Sequence, residues 1–202
     1  MTPPTTAPSS ARLLATPGAL GLADLVAIFD DLQFTLKCCE RLVAELARPP
    51  ARLDAVLIES LWVSALNSYA RCFRTGDRGM GLTVEAVKAT EVPGEVAEWH
   101  ELLGRIRDFS IDGPVNPRES YAVGVSQSES GEAEGIVITS AVRPLVDDVT
   151  VRQTGRLAFA LSALVDARIK EHQQKVFTAA SRMTATQLAA LPAIEVTGAK
   201  DS

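Results

Sequence analysis

The densest set of chemically capable side chains in this chain lies in Glu98-Trp99-His100-Glu101-Leu102-Leu103-Gly104-Arg105-Ile106-Arg107-Asp108. Written on a helix, His100, Leu103, Gly104 and Arg107 share one face. A guanidinium holds a phosphate or carboxylate through paired N–H donors, and an imidazole moves a proton near neutral pH. Gly104 removes bulk there, so a neighbouring helix or a ligand can come close. The loop that follows offers Asp112 and Asn116. His100, Arg107, Asp108 and Asn116 are therefore the candidate site. The plainer use of the same residues is an ion-paired helix end that locks the loop.

A second basic group, Arg71, Arg74 and Arg78, falls at steps of three and four. If the helix persists, they present one cationic edge to a phosphate or a nucleic acid. The competing reading is a solvated helix end whose cations favour the C-terminal dipole. Gly76 to Gly81 lacks a Gly-Lys-Ser/Thr ending and follows no strand, so it is a helix terminator and connection, with Gly76 at the C-terminal position. Asp30-Asp31 and Asp147-Asp148 are sequence neighbours that point in different directions on a helix. His172 stands alone in a polar stretch. With two histidines and no Cys-x-x-Cys pair, neither a metal site nor a cofactor is implied. Cys38, Cys39 and Cys72 are an odd set with one adjacent pair, which suits helix-packing thiols in a reducing cytoplasm.

The elements that must position these groups follow from apolar spacing. Leu22, Leu25, Val26, Phe29, Leu32, Leu36, Cys39, Val43 and Leu46 recur at three- and four-residue steps, which predicts a helix over 22–48 stopped by Pro49-Pro50. Ile58, Trp62, Leu66, Tyr69 and Phe73 mark a second helix over about 53–75, apolar on two sides and so the most buried. A short helix near 84–90, capped by Thr83, and another over 95–109 follow. At Glu119 the period changes to alternation. Tyr121, Val123 and Val125, then Ile136 and Ile138, predict a β-hairpin over 119–142 with a long, acidic, frayed turn from Ser126 to Gly135. A helix over 150–176 and a short one near 185–190 complete the chain. The fold class is mainly α: a helical bundle with a β-hairpin inserted before the last long helix. A single domain spans 21–190, flanked by a Pro/Thr/Ser-rich disordered tail at 1–20 and a second tail at 191–202. A lone hairpin is marginal, so this one leans on the bundle or on a partner chain.

Arg107-Asp108-Phe109-Ser110-Ile111-Asp112-Gly113-Pro114-Val115-Asn116-Pro117-Arg118-Glu119 resembles a segment of bacterial HEPN-like (higher eukaryotes and prokaryotes nucleotide-binding) helical proteins. There it runs roughly Arg-Asp-Lys-x-Ile-Ala-His-Ser-x-Asn-x-x-Glu. Leu61 to Phe73 resembles the helix that precedes it, and the likeness covers about residues 55–125. The resemblance implies a helical homodimer that brings two arginine motifs together, and in active members metal-independent RNA cleavage. Arg107 then faces phosphate and Asp108 is the polar residue after it. The position of the histidine is occupied by Gly113, which cannot act as an acid or base.

The resemblance therefore implies a non-catalytic or degenerate HEPN-like binding or assembly module in the bacterial cytoplasm. The alternatives are a ribonuclease with a site rearranged around Arg107, using Asp108, Asn116 or His100, and a purely structural protein whose acidic hairpin joins a larger assembly. The chain has 202 residues, a formal charge of -5, 47% apolar and only 5% aromatic residues. The acidic balance disfavours a general nucleic-acid coat, and the shortage of aromatics disfavours a base-stacking platform. RNA or a nucleotide is thus the weaker partner, a second copy and a protein docked on the hairpin the stronger. No run of eighteen apolar residues predicts a membrane span, and MTPPTTAPSS is not a secretory signal.

Overall fold

A computed structural model describes residues 11–75 and 79–195. Helix α1 spans Pro17–Leu46, α2 Ala55–Arg71, α3 Val84–Lys88, α4 Val96–Ile111, α5 Asp148–Ala180 and α6 Ala185–Ala189. The protein is mainly α, with a two-stranded antiparallel hairpin, β2 (Glu119–Gln127) and β3 (Ala133–Val142), inserted before the last long helix. None of the described helices is long and apolar enough to cross a membrane.

The long α1 lies between α2 and α5 and packs along both. It runs antiparallel to α5, since Gly155 faces Cys39 and Gly18 faces Val176. A Cβ at Gly155 would already touch the Cys39 Cβ at 3.5 Å, so the two backbones are close there. Helix α4 covers the other side of α2, and α3 bridges α4 and α5. The shared core takes Leu25, Ile28, Leu32 and Leu42 from α1, Ile58, Trp62, Leu66 and Tyr69 from α2, Leu103 from α4, and Val151, Leu157, Leu161 and Val165 from α5. Phe73 is half-buried against it.

The helix ends follow local capping chemistry. Asp54 accepts a bond from the Leu57 N–H at 3.0 Å and starts α2. Asp147 accepts one from the Thr150 N–H at 2.8 Å and starts α5. Between α1 and α2 the buried Glu45 carboxylate accepts from Arg48 Nη1 at 2.8 Å and from the Asp54 N–H at 3.4 Å, tying the Pro49-Pro50 bend to both helices. The polar last third of α5 is held by Lys170–Asp166 and Lys175–Glu171 pairs at i,i+4, and the helix continues to Ala180 rather than stopping at 176.

Several boundaries differ from the sequence expectation. Helix α1 starts at Pro17, inside the stretch read as tail, because Thr16 accepts from the Ala19 N–H at 3.3 Å and Pro17 suits the first helical position. Residues Ala11–Arg12 (β1) pair antiparallel with Ala193–Ile194 (β4), and Arg12 Nη1 donates to the Leu191 carbonyl at 2.9 Å, so parts of both expected tails join each other. Thr83 stands at the cap of α3, but its hydroxyl makes no bond to a helix N–H. Helix α2 ends at Arg71, short of Arg74. The expected terminator Gly76 lies outside the described residues, as does Arg78.

The hairpin pairs Tyr121 with Ser140, Val123 with Ile138 and Val125 with Ile136. Its turn is shorter than the Ser126–Gly135 segment expected to fray. The Gly131 N–H donates to the Ser128 carbonyl and the Ser128 N–H to the Glu132 carbonyl, both at 2.9 Å. Gly131 has φ +87°, a conformation that a side chain resists, so glycine closes this turn. Neither strand packs extensively on a helix.

Candidate functional site

Helix α4 carries Arg107 near its C-terminus, on the turn before the loop to the hairpin. Its side chain is only 8% exposed, although both carboxylates it meets are more than half exposed. Arg107 Nη1 donates to Asp108 Oδ1 at 2.8 Å and to Asp112 Oδ2. These hydrogen bonds, Asp108 first, hold the guanidinium above its already high ordinary pKa. Its Nε is buried without a partner. The cation is thus folded back onto its own helix end and neutralised by two aspartates, one from α4 and one at its C-cap.

His100 is turned to a different task. Its Nδ1 lies 2.8 Å from the Tyr69 hydroxyl on α2, and its ring packs 4.2 Å from the Phe73 ring and 5.8 Å from that of Tyr69, centroid to centroid. Burial lowers the His100 pKa and raises that of Tyr69. A neutral imidazole beside a protonated phenol is the stable pair, with the hydroxyl able to donate to an unprotonated Nδ1. His100 therefore joins α4 to α2 rather than attending Arg107. Asn116 is exposed and local: its Oδ1 accepts from the Arg118 N–H at 2.9 Å, an Asx turn that aims the chain into β2.

Gly113 occupies the place that the HEPN-like resemblance assigns to a histidine. A Cβ built there would lie 2.6 Å from the Phe109 carbonyl oxygen, closer than real Cβ atoms approach. This backbone has no room for a side chain at 113 unless it moves. Gly104 faces open space, with nothing within 4 Å of where its Cβ would be, so among the described residues no other helix uses the approach it permits.

The second basic group is dispersed as well. Arg71 donates through Nε at 3.0 Å and Nη2 at 2.5 Å to Asp31 Oδ1, and through Nη2 at 2.9 Å to Ser68 Oγ. Asp31 lies on the buried side of α1, so Arg71 ties α2 to α1. Arg74 is exposed and makes no ion pair among the described residues. Arg78, the third member of this group, lies outside the described residues.

The sequence pattern gave no sign of a cavity of about 790 Å³ between the start of α2, the end of α4, the foot of the hairpin and the start of α5. Val56, Trp62, Ile106 and Leu145 supply apolar wall, while Glu59, Arg118 and Arg143 add charge. Arg118 Nη1 meets Glu59 Oε1 at 3.2 Å, and the Arg143 guanidinium lies 4.7 Å from the centroid of the Phe109 ring. Arg143 makes no ion pair among the described residues. The only signal for this arrangement is slight: Arg118 and Arg143 flank the two strands and become neighbours only when the hairpin closes, the Arg143 N–H donating to the Arg118 carbonyl at 2.9 Å.

Cys38, Cys39 and Cys72 are buried, and no disulfide joins them among the described residues. Burial pushes the Cys38 thiol up and, with help from Cys38 and Glu40, moves Cys39 to about 12, so these thiols are poor nucleophiles. Among the described residues no group of three or more His, Cys, Asp or Glu is placed to hold a metal ion. In comparisons with known proteins, no family model matches the chain, and neither a curated protein nor a solved structure matches it.

Proposed function

We propose that the chain is a non-catalytic or degenerate HEPN-like module whose work is binding and assembly. The observation that carries this reading is the state of Arg107, already neutralised by Asp108 and Asp112 beside a Gly113 with no space for a side chain. Cleavage of RNA needs one group to take the 2′-hydroxyl proton and another to protonate the leaving oxygen. An arginine stays protonated and serves as neither. His100, which has a suitable ordinary pKa, is engaged with Tyr69 and is made less basic by burial. Asp108 and Asp112 are already engaged in accepting from Arg107. The buried, unbridged thiols favour work in a reducing cytoplasm.

The test is incubation of the purified full chain with mixed cellular RNA, alongside Arg107→Ala. The expected result is no cleavage by wild type above that of the variant. Cleavage by wild type that disappears in both Arg107→Ala and His100→Ala would overturn the reading and make the protein a ribonuclease with a rearranged site.

A further inference from the structure

We propose that the β2–β3 ribbon is a self-association surface, stacked face to face and antiparallel on the ribbon of a second copy of this chain. The proposal rests on the assembly reading above and names the partner. Alternation places Tyr121, Val123, Val125, Ile136 and Ile138 on one face of the ribbon, paired across it as Val123–Ile138 and Val125–Ile136. These five residues are 57–70% exposed, and neither strand packs extensively on a helix. Together they present roughly 600 Å² of apolar surface, at the upper end of what a monomer leaves bare and close to the ~800 Å² per partner of a standard interface. A two-stranded ribbon with both edges open is marginal alone, whereas two ribbons stacked about 10 Å apart share a dry layer.

Charge selects the occupant and its direction. The tip of the ribbon carries Glu129, Glu132 and Glu134, and the foot carries Arg118, Glu119 and Arg143, of which Arg118 is paired with Glu59. Strands of nine and ten residues separate tip from foot by about 30 Å at ~3.3 Å per residue. A two-fold axis along the strands would set the glutamates of both copies against each other. A two-fold axis across the strands lays each acidic tip over the partner's foot, where Arg143 has no ion-pair partner among the described residues. The same surface is then complementary to itself, as a closed dimer requires. The exposed Phe34, Phe159 and Phe177 on α1 and α5 and the Gly104 face of α4 are the competing contacts. The Gly104 face is flanked by exposed Glu101, Arg105 and Asp108.

The experiment is sedimentation velocity of the full chain from low to high micromolar concentration. Wild type is expected to be a dimer. Val123→Glu with Ile138→Glu is expected to be a monomer with unchanged far-ultraviolet circular dichroism, because both side chains are exposed in the protomer. Glu132→Arg with Glu134→Arg is expected to weaken the dimer about tenfold at low salt, and adding Arg143→Glu is expected to restore it. A wild-type monomer throughout, or a dimer indifferent to Val123→Glu with Ile138→Glu, would overturn the proposal. Failure of the charge exchange to restore association would overturn the tip-over-foot arrangement. A monomer that cleaves no RNA would sink this inference alone, whereas Arg107-dependent cleavage would sink the module reading whatever the sedimentation.

Discussion

The bundle and the ribbon solve the same problem in opposite ways. Each carries a regular apolar pattern, of period three to four in α1, α2 and α5 and of period two in β2 and β3. In the bundle the stripes meet one another, and Leu32, Ile58, Leu66, Leu161 and Val165 are almost completely shielded. In the ribbon the pattern is just as regular, yet Val123, Ile136 and Ile138 remain mostly in solvent. The bundle also uses its polar groups internally: Arg71 on Asp31, His100 on Tyr69, Arg107 on Asp108 and Asp112. The ribbon keeps its charges at its two ends, without a continuous neutralising set. A region that satisfies itself is a scaffold. One that repeats an apolar face without covering it is built to be met by something else.

The contrast can be broken most sharply at Trp62, which is buried in the core and also walls the cavity at the ribbon's foot. Trp62→Ala should lose about 3–5 kcal/mol of stability, as large-to-small core changes do. An unchanged denaturation midpoint would contradict its place in the bundle.

His100→Gln should have a smaller effect, about 1–2 kcal/mol near neutral pH, from lost ring packing and the bond to Tyr69. It should also change the pH dependence. Burial lowers the folded-state pKa of His100 below its ordinary 6.5. Between the two values the unfolded chain binds more protons, so this contribution is present above pH ~6.5 and is lost as the pH falls toward the folded value. Denaturant titrations from neutral to mildly acidic pH should show wild type weakening on acidification and His100→Gln weakening less. Equal slopes would remove His100 from the α2–α4 contact.

The smallest effect should come from the ribbon in the dilute protein. Val123→Thr or Ile138→Thr should shift the unfolding free energy of the bundle by no more than about 0.5 kcal/mol, since those residues are mostly in solvent. A loss comparable with Trp62→Ala would mean that the ribbon belongs to the core.

Much of this arrangement is legible in the order of the residues. Leu25, Leu32, Cys39 and Leu46 place α1 by spacing alone, Pro49-Pro50 ends it, and the alternation from Tyr121 places the hairpin within its observed strands. The helix start at Thr16-Pro17 has a local signal too, but it is hidden in a segment whose composition resembles a tail. Contacts between elements are another matter. Asp31 follows Ile28 by three residues and so shares its buried side, yet its pairing with Arg71 depends on how α1 lies on α2. His100 and Arg107 share a helix face in projection, but Tyr69 and Phe73 capture His100 through the α2–α4 contact, and Asp112 comes back to Arg107 only because α4 ends there. Alternation identifies the apolar face of a strand and is silent on what lies over it. The exposure of the ribbon is therefore a property of the packed chain, not of its residue pattern.

The division between a packed bundle and an open ribbon is tested most directly by amide hydrogen exchange of the 202-residue chain, read residue by residue at low and high concentration. Amides of α1, α2 and α5 should exchange slowly at both. Residues 121–125 and 136–140 should exchange fast when dilute and become protected as concentration rises, with residues 104–113 unchanged. Protection gained at 104–113 instead, or a ribbon equally protected at every concentration, would contradict the account.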